Sequence, residues 1–276
     1  MIKLELLDQK NQVISGKIDH EQSPGPFSVG AEDFCILGIK EYRYQPGDKI
    51  RITVDLTPAY YMVQLDETLA PSLIYLTQKE WIYAIPLAES LRKSSVETAF
   101  GSARHHLMVR KAYDFEVNNE QNLSFNAHDQ KEASGAFPHA TANVETRDES
   151  VFFAKNAIDG KYANRSHGSY PFASWGINQQ ADASLTIDFG RAVEVHGLGL
   201  LLRHDFPHDS YWTSVEIEFS TGKSLRLSTE KAAELQKFEF AAETITHLTL
   251  KNLKKAEDDS HFPALTQLDV FGKNVI

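Results

Sequence analysis

A turn-rich loop is the first stretch of this 276-residue chain whose residue types could do chemistry. It begins with Asn156-Ala-Ile-Asp-Gly and contains the side-chain oxygens of Asp159 and Asn164 among further Ser and Gly residues. Side-chain and carbonyl oxygens gathered in a tight arc are what a hard cation such as calcium requires. Asp and Asn side chains also hydrogen-bond the backbone of their own turns. The loop therefore predicts either a calcium site or a hydrogen-bonded turn.

A second dense segment is Arg203-His-Asp-Phe-Pro-His-Asp-Ser-Tyr-Trp. His204 and His208 have the spacing of a helical zinc pair, but Pro207 lies between them and argues against the helix that such a pair needs. Loops held by a rigid scaffold commonly carry binding residues, so we interpret this segment as one wall of a ligand site. Its candidate ligand-binding residues are Arg203, His204, Asp205, His208 and Asp209.

The charge balance and cysteine content limit the classes of protein to which the chain can belong. With 28 Lys and Arg against 38 Asp and Glu, the formal net charge is -10, which disfavours nucleic acid and anionic membranes as partners. Cys35 is the single cysteine, so the chain forms no intrachain disulfide. No signal sequence and no apolar stretch of membrane-spanning length is present, and we expect a cytoplasmic protein.

Short alternating segments predict that β-strands position these loops. Ile50, Ile52 and Val54 alternate with polar residues after a Pro-Gly-Asp turn, and Leu185, Ile187 and Phe189 alternate in the second half. The polar stretch that starts at Asn118 is short of β-branched residues and marks a domain boundary. The sequence therefore predicts an all-β protein of two tandem β-sandwiches, over residues 1–117 and 118–276.

Several motifs of the second half resemble the discoidin domain, also called the coagulation factor V/VIII type C domain. They occur in that family's order: Asn-Ala-Ile-Asp-Gly at 156–160, Leu-Thr-Ile-Asp-Phe-Gly at 185–190, the strand that starts at Trp212, and the closing strand Ala-Leu-Thr-Gln-Leu-Asp-Val-Phe-Gly at 264–272. The resemblance covers roughly residues 119–276 and implies a jelly-roll sandwich, the fold of many bacterial carbohydrate-binding modules. No family is recognised in the first half.

The resemblance implies a structural calcium ion near the Ile-Asp-Gly turn. The side chains of Asp159 and Asn164 and the carbonyls of neighbouring residues would be its ligands, and Gln267 stands where the family has Glu. Because Gln is neutral, the site has lost one charge, which lowers the expected calcium affinity. The implied set is Asn156, Asp159, Lys161, Asn164, Thr266 and Gln267.

The resemblance also places a sugar site in the loops at one end of the sandwich. His167 and Arg203 fall where galactose-binding members have a loop histidine and a strand-end arginine, and Glu145 is a plausible acidic partner. Tyr170 and Trp175 could present an aromatic face to the apolar side of a sugar ring. Two of these residues also have a structural alternative. Trp175 can be a core residue, and Arg203 can be the partner of Asp205 or Asp209.

The sequence therefore favours a non-catalytic carbohydrate-binding protein whose ligand is a galactose-like or uronic acid unit. One alternative is a hydrolase or lyase in which the aspartates and histidines of the Arg203 segment act as acid and base. A second alternative is a protein-interaction module, with the first half as a docking surface for a partner or a second copy. The absence of a nucleophile motif or a phosphate loop favours the binding protein.

Overall fold

Alternating hydrophobic residues build the strands of the first half. The computed structural model describes residues 1–18, 23–163 and 170–275. Ile50, Ile52 and Val54 are buried and alternate with partly exposed neighbours, as one face of a sheet requires. The elements are β1 (Ile2–Leu7), β2 (Ser15–Gly16), β3 (Gly25–Pro26), β4 (Ser28–Ala31), β5 (Phe34–Ile39), β6 (Lys49–Val54), β7 (Ala59–Gln64), β8 (Ser72–Leu76), β9 (Glu80–Ala84), α1 (Glu89–Arg92), β10 (His105–Lys111) and α2 (Asp114–Asn118).

Two antiparallel sheets enclose one hydrophobic core in this half. One has the order β4-β1-β6-β9, with Leu4 opposite Ile52, and the other includes the order β8-β7-β10-β5. Side chains from both sheets, among them Ile2, Ile52 and Val63, belong to one buried cluster. Met1–Glu116 form a compact unit together with Glu132–Ala136, a later segment that no sequence signal had assigned to this half.

The residues from His106 to Val117 have a strand-like sequence pattern, but only the first part of this segment is a strand. β10 ends at Lys111, and α2 follows. The carboxylate of Glu116 accepts hydrogen bonds from the Tyr113 N–H at 2.8 Å and from the Arg110 guanidinium. A Glu that reaches back to the residue before a helix satisfies a free N–H there, so this contact favours a helical turn over a continued strand.

The second unit comprises Val117–Lys131 and Phe137–Ile276. Its strands are β11 (Gln121–Asn122), β12 (Ala136–Phe137), β13 (His139–Ala142), β14 (Trp175–Gly176), β15 (Leu185–Leu202), β16 (Trp212–Phe219), β17 (Ser224–Ser228), β18 (Gln236–Lys255) and β19 (Ala264–Asn274), where Ala136 of β12 belongs to the first unit. Short 3-10 helices cover Thr146–Asp148, Ser150–Phe152 and Ala154–Ile158.

The long strand β15 is the centre of this unit. Its first part pairs with β13 and β18, and its second part pairs with β18 and β19. The register shifts between Asp188 and Val193, where Gly190 has a φ of 64°, a left-handed value that favours glycine. A bulge bends a strand, so β15 can contribute side chains to both sides of the core.

The core of this unit contains Trp175, Trp212 and the alternating residues of β15, β16 and β18. The all-β class and the strands predicted around Leu185, Trp212 and Ala264 are confirmed. The boundary between residues 117 and 118 stays a prediction. Within the described ranges, neither helix is long and apolar enough to span a membrane.

The buried histidine His128 makes this unit sensitive to acid. Burial lowers its pKa to about 3, while an unfolded chain protonates it near its ordinary value of about 6.5. Between these two values the unfolded state binds a proton that the folded state does not. We therefore expect His128 to lower the free energy of unfolding by up to about 1.4 kcal/mol per pH unit as the pH decreases through this window.

The measurement is urea unfolding of the His128→Gln variant and the wild type between pH 7 and pH 4, followed by tryptophan fluorescence. The variant should lose less free energy over this range than the wild type. His247→Gln is the matched control, since His247 is exposed on β18. If the free energy of unfolding changed equally with pH in the wild type and in His128→Gln, His128 would not be the source of the acid sensitivity.

Candidate functional site

A cleft lies beside the end of β15 in the second unit. It encloses about 210 Å³, and both polar and aromatic side chains line it. Four segments form its walls: the turns after β13, the turn that follows β14, the segment after the end of β15, and the segment at the start of β19. The lining residues are Thr146, Arg147, Phe152, Gly176, Ile177, Asn178, Gln179, Arg203, His208, Phe262, Pro263 and Ala264.

Arg203 is held at the cleft from both its backbone and its side chain. Its N–H donates to the carbonyl of Ala264 at 2.9 Å, which extends the pairing of β15 with β19 by one residue. Its Nε and Nη2 donate to the two carboxylate oxygens of Asp205 at 2.5 and 2.8 Å. Asp205 is buried, and such a bidentate pair fixes the plane of the guanidinium. Nη1 is not engaged within the described part of the chain.

Asp209 has a different partner from Asp205. Its carboxylate lies 2.7 Å from the ammonium of Lys231, and this hydrogen bond lowers the pKa of Asp209. The side chain of Lys231 is 44% exposed, so the pair lies at the surface. Of the two pairings that the sequence left open for Arg203, the structure shows the one with Asp205. Asp205 therefore acts as a positioning residue for Arg203.

The opposite wall is built by close packing around Gly176. A Cβ atom at this position would lie 2.7 Å from Thr146 Oγ1 and 2.9 Å from the Phe152 ring, so only glycine fits. Thr146 Oγ1 in turn accepts a hydrogen bond from the backbone N–H of Asn178 at 2.9 Å. These contacts join the turn after β13 to the turn after β14.

Three residues of this wall have left-handed backbone conformations. Arg147, Asn178 and Gln179 have φ values of 53°, 49° and 59°. Non-glycine residues seldom adopt such values, and they concentrate at binding and catalytic sites. Asn178 and Gln179 are exposed, so their amide groups are accessible to a ligand.

Aromatic rings supply the apolar part of the cleft. Phe262 is 45% exposed, and Phe152 lies under the guanidinium of Arg147, whose carbon is 5.4 Å from the ring centre. Arg147 is also paired with Glu149, with Nε 2.8 Å from a carboxylate oxygen. Both arginines of the cleft thus have a carboxylate partner, and the cleft carries little net charge.

The structure brings together two of the predicted ligand-binding residues, Arg203 and His208, in the lining of this cleft. His204 and Asp209 belong to the same loop but are not among the lining residues. His167 lies outside the described residues. Tyr170 is 46% exposed, and its ring lies edge-on to that of Phe172.

Two predicted residues have structural positions. Trp175 is fully buried, and its Nε1 donates to the carbonyl of Val144 at 2.9 Å, so it cannot present an open face to a sugar. The core alternative is the one that the structure shows for it. The carboxylate of Glu145 accepts a hydrogen bond from the Ala154 N–H at 2.7 Å and lies 3.4 Å from the ammonium of Lys131. The carboxylate of Glu145 thus stabilises the start of the 3-10 helix Ala154–Ile158.

Sequence reasoning missed several lining residues. The only signal near Asn178 and Gln179 was a polar link between strands, and Phe262 followed an acidic stretch with no motif. Thr146 and Phe152 contribute because the pairing of distant strands brings their turn to the end of β15. The missed side chains are Thr146, Arg147, Phe152, Asn178, Gln179 and Phe262.

The residues proposed to bind calcium also lie together, in another part of this unit. The amide nitrogen of Gln267 is 2.7 Å from the Asn156 carbonyl and 2.9 Å from a carboxylate oxygen of Asp159. Thr266 precedes Gln267 in β19, and Asn164 lies outside the described residues. In the described ranges no three His, Cys, Asp or Glu side chains are grouped to hold a metal ion. The Asn156 carbonyl and the Asp159 carboxylate surround the N–H donor of Gln267, and an N–H group at the centre of the site does not fit a calcium ion.

No family model and no curated protein matches the chain. Among the solved structures that match are a family 32 carbohydrate-binding module from C. perfringens NanJ in complex with galactose (19% identity, 48% of this chain, 91% of that chain, TM-score 0.37). A second is a chitosan-binding module of a Paenibacillus sp. IK-5 chitosanase/glucanase (16% identity, 55% of this chain, 99% of that chain, TM-score 0.39). A third is the lectin domain of lectinolysin with Lewis B antigen (14% identity, 55% of this chain, 97% of that chain, TM-score 0.40). All three are carbohydrate-binding proteins by name. At these TM-scores, similarity alone assigns no function to this chain.

The pairing of Arg203 predicts unequal effects for two aspartates of one loop. Asp205→Asn removes a buried counter-charge and should lower the free energy of unfolding by about 3 kcal/mol. Asp209→Asn removes the partner of an exposed lysine and should cost less than about 1 kcal/mol. Urea unfolding at pH 7 measures both, and each variant is the control of the other. Equal losses would contradict the assigned pairing.

Proposed function

We propose that the chain is a non-catalytic carbohydrate-binding protein that holds one sugar unit in the cleft beside Arg203. The observation that carries the proposal is the combination in one small cleft of fixed hydrogen-bond donors and exposed aromatic carbon. Sugar hydroxyls pair with guanidinium, imidazole and amide groups, while the apolar face of the ring packs on aromatic side chains. Arg203, His208 and Asn178 supply the polar groups, and Phe152 and Phe262 supply the apolar surface.

The position of Arg203 supports this assignment. The bidentate contact to Asp205 uses Nε and Nη2 and leaves Nη1 as a donor in a fixed direction. A donor that is already oriented binds a hydroxyl at a lower cost in side-chain entropy than a mobile one. A cleft of about 210 Å³ is smaller than the roughly 300–1,000 Å³ of most ligand sites, which suits one ring better than a long chain.

The local charges favour a neutral sugar over an acidic one. Arg203 is neutralised by Asp205, and Arg147 is neutralised by Glu149. A uronic acid carboxylate would therefore meet little excess positive charge, whereas the hydroxyls of a galactose-like unit need only hydrogen-bond partners. The same pairs count against the hydrolase or lyase alternative, because Asp205 and Asp209 are each engaged by a cation.

The first test is a glycan array that carries neutral galactosides and uronic acid oligosaccharides, probed with the full chain. A glycan that binds is then titrated by calorimetry against Arg203→Lys. Lysine keeps the charge but loses the planar fork, so the affinity should fall at least about tenfold. Arg226→Lys is the control, since Arg226 is an exposed arginine on β17. Unchanged affinity in Arg203→Lys would place the site elsewhere, and no binding to any glycan would reject the function.

A second pair of variants tests the aromatic surface without disturbing the buried ion pair. Phe262 lines the cleft, while Phe206 is 80% exposed in the neighbouring loop and is not among the lining residues. Phe262→Ala should weaken the same glycan by about 1 kcal/mol or more, since it removes the apolar contact. Phe206→Ala should leave the affinity unchanged. The reverse order of effects would contradict the proposed placement of the sugar.

A further inference from the structure

Gln267 connects the Ile-Asp-Gly turn to the closing strand β19. Its side chain is buried, and the Nε2 amide donates to the Asn156 carbonyl at 2.7 Å and to Asp159 Oδ1 at 2.9 Å. The Oε1 atom of the same amide accepts a hydrogen bond from the backbone N–H of Gly160 at 3.0 Å. One side chain therefore satisfies three groups of the loop from 156 to 160.

The orientation of this amide is fixed by its partners. A backbone carbonyl can only accept a hydrogen bond, so the atom beside Asn156 O must be the nitrogen. A backbone N–H can only donate, so the atom beside Gly160 N must be the oxygen. The hydrogen atoms of the amide consequently point at Asn156 O and Asp159 Oδ1, two oxygens that the sequence had assigned to calcium.

A positively charged group lies on the other oxygen of Asp159. The ammonium of Lys161 is 3.1 Å from Oδ2, and the Asp159 side chain is 7% exposed. The backbone N–H of Lys161 also donates to Oδ1 at 3.0 Å. Oδ2 accepts no hydrogen bond from the described residues, and this ion pair with a lysine of the same loop compensates the charge of the buried carboxylate.

A third oxygen of the expected ligand set is engaged as well. The carbonyl of Lys161 accepts a hydrogen bond from the N–H of Ala163 at 3.1 Å. Calcium needs six to eight oxygens at about 2.3–2.6 Å, all with lone pairs directed at the ion. Here an N–H group is directed at each of three expected oxygens, so a cation at this point would compete with these donors for the oxygen lone pairs.

We propose that the Gln267 amide and the Lys161 ammonium take the place of a structural calcium ion in this chain. The loop from 156 to 161 is then fastened to β19 by hydrogen bonds and one ion pair. The stability of the second unit should not respond to calcium or to chelators. This inference concerns the stability of the fold and does not rest on the proposed sugar site.

The direct test is thermal unfolding of the full wild-type chain in excess calcium chloride and in EDTA. The midpoint of the transition reported by tryptophan fluorescence should differ by no more than about 1 °C between the two conditions. Magnesium chloride at the same concentration controls for ionic strength. A midpoint that is several degrees higher in calcium than in both magnesium and EDTA would overturn the proposal.

Two substitutions at one position test the role of the amide. Gln267→Glu replaces the donor by a carboxylate that faces Asp159, so the midpoint in EDTA should fall by roughly 3–8 °C, and calcium should recover part of the loss. Gln267→Met removes the hydrogen bonds but adds no charge, so its loss should be the same with and without calcium. Gln9→Glu, at an exposed position, is the matched control and should behave as the wild type.

The outcomes separate the proposal from its alternatives. Wild-type stability in EDTA for both Gln267 variants would show that the amide does not fasten the loop, and would overturn the proposal. If Gln267→Glu does not fold, the loss in Gln267→Met and the calcium response of the wild type still decide the question. Failure of the glycan titrations would leave these unfolding midpoints unchanged, so the two proposals fail independently.

Discussion

The pairing of β15 on both edges is the constraint on which the second unit depends. Leu200 lies opposite Gln236 of β18 and Leu268 of β19, and this ladder sets the register of three long strands. The same ladder ends where the cleft begins, because Arg203 donates its N–H to Ala264 directly after the last pairs. A change of register by one residue would turn the buried face outward and would also move Arg203 away from its position.

Two charged side chains in loops of this unit are each paired with a partner two residues away in the sequence. Arg203 is paired with Asp205, and Asp159 is paired with Lys161. Unpaired buried charges are costly, so these pairs determine where loops can be anchored to the sandwich. In the cleft the result is a rigid donor with little net charge. In the Asp-Gly turn the result is a loop anchored by side chains of the chain itself.

Local patterns predicted the strands well and the residues that line the cleft only in part. Period-two alternation identified the strands around Ile50 and Ile187, because the alternation of residue types along one strand is a local pattern. Trp175 was ambiguous, since its burial depends on the packing of distant strands. Thr146 and Phe262 could not be found, because strand pairing over long sequence separations brings them together. For Gln267 the sequence indicated a lost charge, but the bridging hydrogen bonds require the loop and β19 in their folded positions.

The central claim is that the cleft beside Arg203 binds a sugar unit. The most direct measurement is a crystal structure of the full chain with a glycan selected on the array. We expect a sugar hydroxyl within hydrogen-bond distance of Arg203 Nη1 and a sugar C–H face on Phe152 or Phe262, with the Arg203 to Asp205 contact unchanged. A glycan bound elsewhere on the chain, or one that separates Arg203 from Asp205, would contradict it.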